Sequence, residues 1–177
     1  MEALREVREY TVDDIYALPK GERAELIDGK LYFMGSPGAT HQRILGRLHI
    51  AIANYISSKK GKCEVFLAPF AVFLKNDKKN YLEPDISVIC DKDKITEKGC
   101  SGAPDWVIEI VSPSSRSMDY FIKLIKYSEA GVRDYWVIDP EEKTISVFNN
   151  EKQEYMKYTF KEGAVSGIFE DLTIKLD

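Results

Sequence analysis

Cysteine and histidine are scarce in this chain, with three and two among 177 residues. The cysteines, Cys63, Cys90 and Cys100, are odd in number and have no CxxC spacing, so neither a disulfide framework nor a zinc site is expected. That composition suits a reducing, cytoplasmic setting. No apolar run approaches the roughly 20 residues that span a bilayer. The amino terminus, MEALREVREY, is charged throughout and unlike a signal peptide, so the expectation is a soluble, non-exported protein. Charge of one sign is also missing: 25 Lys+Arg against 29 Asp+Glu give a net charge of −4, and no global basic field advertises a nucleic-acid binder. No linker or low-complexity break interrupts the chain, and its length fits one domain of roughly 100 to 200 residues.

What is present has the grammar of an α/β domain. Thr11 and Asp14 have capping-box spacing before Ile15 and Leu18, and Pro19 stops that short helix. Asp28-Gly29 separates two apolar runs, Ala24 to Ile27 and Lys30 to Met34, and predicts a hairpin. Thr40 can cap a helix from His41 to Ser58, where Ile44, Leu48, Ile52, Tyr55 and Ile56 recur at helical spacing. CEVFLAPFAVFLK reads as an extended strand bent at Pro69, followed by strands in YLEPDISVIC and DWVIEIV with a polar loop, 91–104, holding at best short local structure between them. A helix over 119–130 ends at Gly131, with Phe121, Leu124 and Ile125 on its apolar face. The nearly continuous apolar strand RDYWVIDP has the character of a buried parallel strand, and EKTISVFNN and QEYMKYTF alternate like an antiparallel pair. The expected order is helix, three strands, helix, strand, with β additions at both ends.

Two carboxylates stand out because they interrupt apolar strands. Alternation in DWVIEIV puts Glu109 between Val107 and Val111 on one face. An unpaired buried charge costs several kcal/mol or more, so Glu109 requires a cation, a metal or a raised pKa. Asp85 opens the preceding strand directly after Pro84. A buried ion pair, or a turn role for Asp85, would serve equally. Convergent carboxylates without a Cys or His cluster suit Mg²⁺ or Mn²⁺ rather than zinc, and such an ion neutralises phosphate oxygens and activates water. On the helical wheel, Lys123 falls at the rim beside Tyr127, whereas Lys126 points away. Lys123 also reads as an exposed lysine paired with Asp119 at i−4.

The run from EPDISVIC through DWVIEIVSPSSRSMDYFIKLIKYSEAGVRDYWVIDP, with AELIDGKLYFM and THQRILGRL upstream, resembles the restriction-endonuclease-like family of bacterial proteins within the PD-(D/E)XK nuclease superfamily. The likeness covers about residues 22–140. It implies a restriction-endonuclease-like α-β-β-β-α-β core, a mixed sheet flanked by helices. Pro84-Asp85 matches the PD half-motif and Glu109 the acidic residue of the second half, while Val111 stands where the superfamily usually has lysine. The family's replacement lysine on the next helix matches Lys123, an additional acid matches Glu25, and a family histidine matches His41. Glu25 reads equally as a solvated strand carboxylate, and His41 as a capping or surface residue.

The resemblance implies a Mg²⁺- or Mn²⁺-dependent DNA endonuclease, with Asp85, Glu109 and Glu25 holding metal and Lys123 acting on the attacking water. His41, Arg43, Arg47 and Arg116 are candidate substrate contacts, and a homodimer would reach both strands. Val111 in the lysine slot leaves open an inactive nuclease-fold module that binds DNA or protein. A two-carboxylate glycosidase lacks the sugar-stacking aromatics expected around its acids. The overall charge conceals a basic centre: residues 29–138 carry 16 Lys+Arg against 12 Asp+Glu, and 41–62 holds Arg43, Arg47, Lys59, Lys60 and Lys62 with no acid. That stretch could follow a phosphate backbone or form the solvated side of an amphipathic helix.

Overall fold

The computed structural model describes residues 8–75 and 77–177. The charged amino-terminal stretch discussed above lies partly outside them, in residues 1–7. The chain begins with α1 (Val12–Tyr16), whose capping box forms as expected, the Thr11 amide donating to Asp14 Oδ2 at 2.8 Å. The hairpin β1 (Ala24–Ile27) and β2 (Lys30–Phe33) turns at Asp28 and Gly29. Both turn residues have positive φ, 48° and 75°, which the Asp-Gly pair tolerates. A 20-residue helix, α2 (Ala39–Ser58), follows. It starts one residue before Thr40, with Gly38 at the N-cap, so the expected threonine cap is not used.

The next strands are β3 (Glu64–Leu67), β4 (Val72–Phe73), β5 (Ile86–Ile89), β6 (Ile95–Thr96), β7 (Gly99–Ser101) and β8 (Trp106–Ile110). A π-helical turn, Met118–Lys123, runs into α3 (Leu124–Ala130), which ends at Gly131 with φ 91°. The chain closes with β9 (Asp134–Asp139), β10 (Thr144–Asn149), β11 (Glu154–Thr159), β12 (Ala164–Val165) and β13 (Thr173–Ile174). Six strands form the central sheet in the order β11-β10-β9-β8-β5-β3. Only the β8–β9 pair is parallel, as the crossover through α3 requires.

The two faces of this sheet carry different cores. On one, Ile44, Leu48 and Ile52 of α2 pack against Trp106, Ile108 and Ile110. On the other, Val107 and Val111 meet Tyr127, Val132 and Tyr135 beneath α3. The alternation read from DWVIEIV therefore holds, and it turns Glu109 toward α3 rather than α2.

Three expectations are corrected. Residues 63–75 are two strands in different sheets, separated around Pro69, which has no amide to donate to a ladder. The short local structure expected within the polar stretch 91–104 is β6 and β7, which join β4 in a three-stranded sheet. Cys63 and Cys90 are disulfide-bonded. They flank the antiparallel pair Glu64↔Ile89, so continuing the register sets them opposite one another, a proximity hidden by 27 residues of separation. The cysteine count consequently says nothing for a reducing compartment. Finally, Phe121 and Ile125 are 66% and 55% exposed, whereas Asp119, Lys123 and Tyr127 are buried. Charges are buried on this helix because Lys123 meets Glu25 of β1, Glu109 of β8 and Asp119 one turn before it.

Candidate active site

Three strands and one helix converge on a single group of charges. The β5–β8 register pairs Ile86 with Ile108, and its continuation places Asp85 opposite Glu109. Glu25 sits in β1, and the Glu83 amide donates to its Oε1 at 3.0 Å, fastening the hairpin to the segment that carries Asp85. From the opposite side, Asp119, Lys123 and Tyr127 follow one another at four-residue intervals along the π-helical turn and α3.

Lys123 lies at the centre. Its Nζ is 2.8 Å from Glu25 Oε2, 2.9 Å from Glu109 Oε1 and 3.4 Å from Asp119 Oδ1, with all four side chains almost fully buried. The Tyr127 hydroxyl donates to Glu109 Oε1 at 3.0 Å. Asp85, at the cavity edge, accepts from the Ile110 amide at 2.7 Å and lies 3.1 Å from His41 Nε2, both through Oδ2. His41, in the first turn of α2, is thereby a cleft residue that orients Asp85. Asp119 and Tyr127 were not among the residues singled out for chemistry. Their i−4 and i+4 spacing from Lys123 was the available signal.

Burial acts on Glu109, Asp119, Lys123 and His41. It pushes the Glu109 carboxyl well above its ordinary pKa, with Lys123 opposing and Asp119 and Glu25 adding to the rise. Asp119 is raised by burial too, again opposed by Lys123. Burial pulls Lys123 down, but the charges of Glu109, Glu25 and Asp119 overcome it and leave the ammonium well above its usual value. For His41, burial lowers the imidazole's pKa, and the hydrogen bond and charge of Asp85 outweigh it to raise the net value.

The cage therefore holds more carboxylate than ammonium. One lysine faces three buried acids, with Asp85 beside them. The donor set consists of hard oxygens, as Mg²⁺ or Mn²⁺ prefers. Hydrogen bonds to Asp85 and Glu109 fall on one oxygen of each, and Asp119 Oδ1 is buried without a hydrogen-bond partner. Among the described residues no three His, Cys, Asp or Glu side chains stand as a ready-made ligand shell, because Lys123 holds the centre. The negative excess and the hard oxygen donors are the chemistry a divalent cation prefers.

These groups line a cavity of about 680 Å³. Arg116 also lines it but is engaged by Asp139 and, at 3.0 Å, by Glu141. Arg43 and Arg47 lie outside this cavity and line a neighbouring one.

Comparison with known proteins bears on the family and the fold. The Uma2 family, described as "Putative restriction endonuclease", matches residues 12–176. An uncharacterized protein of Synechocystis sp. (strain PCC 6803) is 28% identical over 129 residues, covering 72% of this chain and 66% of that protein, just under two thirds of its length. The crystal structure of "a putative nuclease belonging to DUF820" from Anabaena variabilis superposes with a TM-score of 0.67 at 26% identity, over 84% of this chain and 83% of the other. The mixed α/β architecture is thus that of a nuclease-like fold.

Proposed function

The chain belongs to the Uma2 family, and from that premise we propose that it is an endonuclease hydrolysing DNA phosphodiester bonds with Mg²⁺ or Mn²⁺. The observation carrying this reading is the convergence of Glu25, Glu109 and Asp119 on Lys123, with Asp85 opposite Glu109 in the same open cleft. Asp85, Glu109 and Glu25 would hold the metal, which supplies charge neutralisation at phosphate oxygens and a more acidic bound water. Lys123, already within hydrogen-bond reach of Glu109 and Glu25, orients the attacking water and offsets charge developing on the phosphorus. His41 and the Ile110 amide fix the Asp85 carboxylate, and Tyr127 fixes Glu109. Val111 packs in the core, so its place in the superfamily's lysine slot costs nothing if Lys123 enters from the helix.

A homodimer belongs to the same proposal, since cutting both strands takes two sites. So does a cytoplasmic location, where a DNA substrate is met. No helix among the described residues is long and apolar enough to cross a membrane.

The test is cleavage of plasmid and linear DNA by purified protein with Mg²⁺ or Mn²⁺. Wild type nicks or cuts, and Glu109→Ala does not. A variant as active as wild type would remove these roles. The inactive-module reading draws on Lys123 being locked among three carboxylates. It predicts DNA binding with a thermal midpoint indifferent to either ion.

A further inference from the structure

A second cavity, of about 530 Å³, adjoins the cleft, and Thr40 and Pro140 line both. Three separate parts of the chain bring cations to it. Arg43 and Arg47 come from α2, one turn apart; Lys143 comes from the turn between β9 and β10, and Lys161 from the turn after β11. Between them the floor is apolar, formed by Ile44, Pro140 and Phe160. Glu142 and Asp177 are the acidic side chains on its wall.

The cations differ in what they do. Arg47 donates to the backbone carbonyls of Leu176 and Asp177, both at 3.2 Å, so it builds the wall. Arg43, Lys143 and Lys161 are exposed, and none has an ion-pair or side-chain hydrogen-bond partner among the described residues. An ordinary solvated helix face would explain Arg43 alone. It does not explain two lysines from distant turns facing the same groove, contiguous with the carboxylate cage. Unpartnered cations around an apolar floor complement a polyanion whose charges are regularly spaced and whose sugars and bases are apolar.

We propose that this groove carries the phosphodiester backbone of the substrate strand on one side of the scissile bond, with Arg43, Lys143 and Lys161 each neutralising a phosphate. The inference rests on the nuclease reading and extends it from the reacting atoms to the path of the strand. It also separates two tasks: the cage takes the reacting phosphate, and the groove sets how far the strand must extend beyond it.

The experiment measures binding of a fluorescent duplex of about 20 base pairs, and of the matching single strand, by anisotropy across a salt series with Mg²⁺ present. The parent is Glu109→Gln, so that the DNA stays intact, and the variant adds Arg43→Gln, Lys143→Gln and Lys161→Gln. Losing three phosphate contacts should reduce the slope of log affinity against log salt by about 2.7 on duplex, or about 2 on single strand, and weaken binding roughly 10²-fold at 0.1 M salt. The arm showing the fuller loss identifies the form of DNA the groove holds. The pair Lys143→Gln and Lys161→Gln, checked by circular dichroism for an unchanged fold, should give about two thirds of the effect. An unchanged slope and affinity in the triple variant overturns the groove and leaves the nuclease reading standing. A parent that binds neither ligand overturns the groove as well. If wild-type protein then also leaves DNA intact with Mg²⁺ and Mn²⁺, the nuclease reading falls with it.

Discussion

Removing Lys123's charge while keeping its bulk is the sharpest test of the cage. In Lys123→Met the three carboxylates within 3.4 Å of the ammonium lose their only close counter-charge among the described residues. Glu109 and Asp119 already sit above their ordinary pKa values because they are buried, so they would take up protons rather than remain ionised. Holding one carboxyl protonated at pH 7, when its unfolded pKa is about 4, costs roughly 4 kcal/mol at 1.36 kcal/mol per pH unit. That falls within the roughly 3–5 kcal/mol expected for breaking a buried pair by removing one partner. For a chain of this length the thermal midpoint should drop by roughly 6–20 °C. The assay is urea and thermal unfolding in EDTA, which keeps divalent ions out of the comparison. A carboxyl whose folded pKa is raised loses stability as pH rises through the window above its unfolded value. The variant's deficit should accordingly shrink by about 1.4 kcal/mol for each unit from pH 7 toward pH 5. Adding Glu109→Gln should recover part of the loss, since one acid fewer remains to be neutralised. A Lys123→Met protein as stable as wild type at pH 7, or a deficit independent of pH, would refute the account.

Three further outcomes follow from other parts of the fold. Asp134 is fully buried and accepts from Trp136 Nε1 at 3.0 Å and the Gly167 amide at 2.6 Å, yet burial pushes its carboxyl up to about 6. Its contribution is greatest below the unfolded value near 4 and is lost as pH rises to about 6, so the stability difference between Asp134→Asn and wild type should move toward the variant by about 1–3 kcal/mol across that window in urea titrations; a difference that does not change with pH contradicts this. The Cys63–Cys90 bond closes a loop with a sequence separation of 27, so reduction, or Cys63→Ser, should cost about 3.5 kcal/mol on the chain-entropy account, and equal urea midpoints with and without reductant would show otherwise. Phe121 is 66% exposed, so Phe121→Ala should stay within about 0.5 kcal/mol of wild type; a core-sized loss would place that ring against a partner.

What could be read from the sequence divides along a physical line. Period-2 alternation identified Glu109 as a strand carboxylate, and the Asp-Gly turn fixed the β1–β2 hairpin, because both signals are local. The register that sets Asp85 against Glu109, and Cys63 against Cys90, depends on which strands pair, so it emerged only with the sheet. The helix after β8 departs from its apolar pattern for a physical reason. Apolar periodicity assumes that a helix buries its apolar side, yet here the buried side is Asp119, Lys123 and Tyr127. One buried lysine shared by three acids offsets part of their burial cost, and the Glu83 amide and the Tyr127 hydroxyl add hydrogen bonds to Glu25 and Glu109. Val111 and Phe121 are two sides of that arrangement. With valine in the strand's lysine slot, the only cation for Glu109 must come from the helix, and turning Lys123 inward turns Phe121 and Ile125 out. The exposed apolar side of this helix is thus a consequence of where the lysine resides. A chain with lysine at 111 and an apolar residue at 123 should bury the helix's apolar face instead.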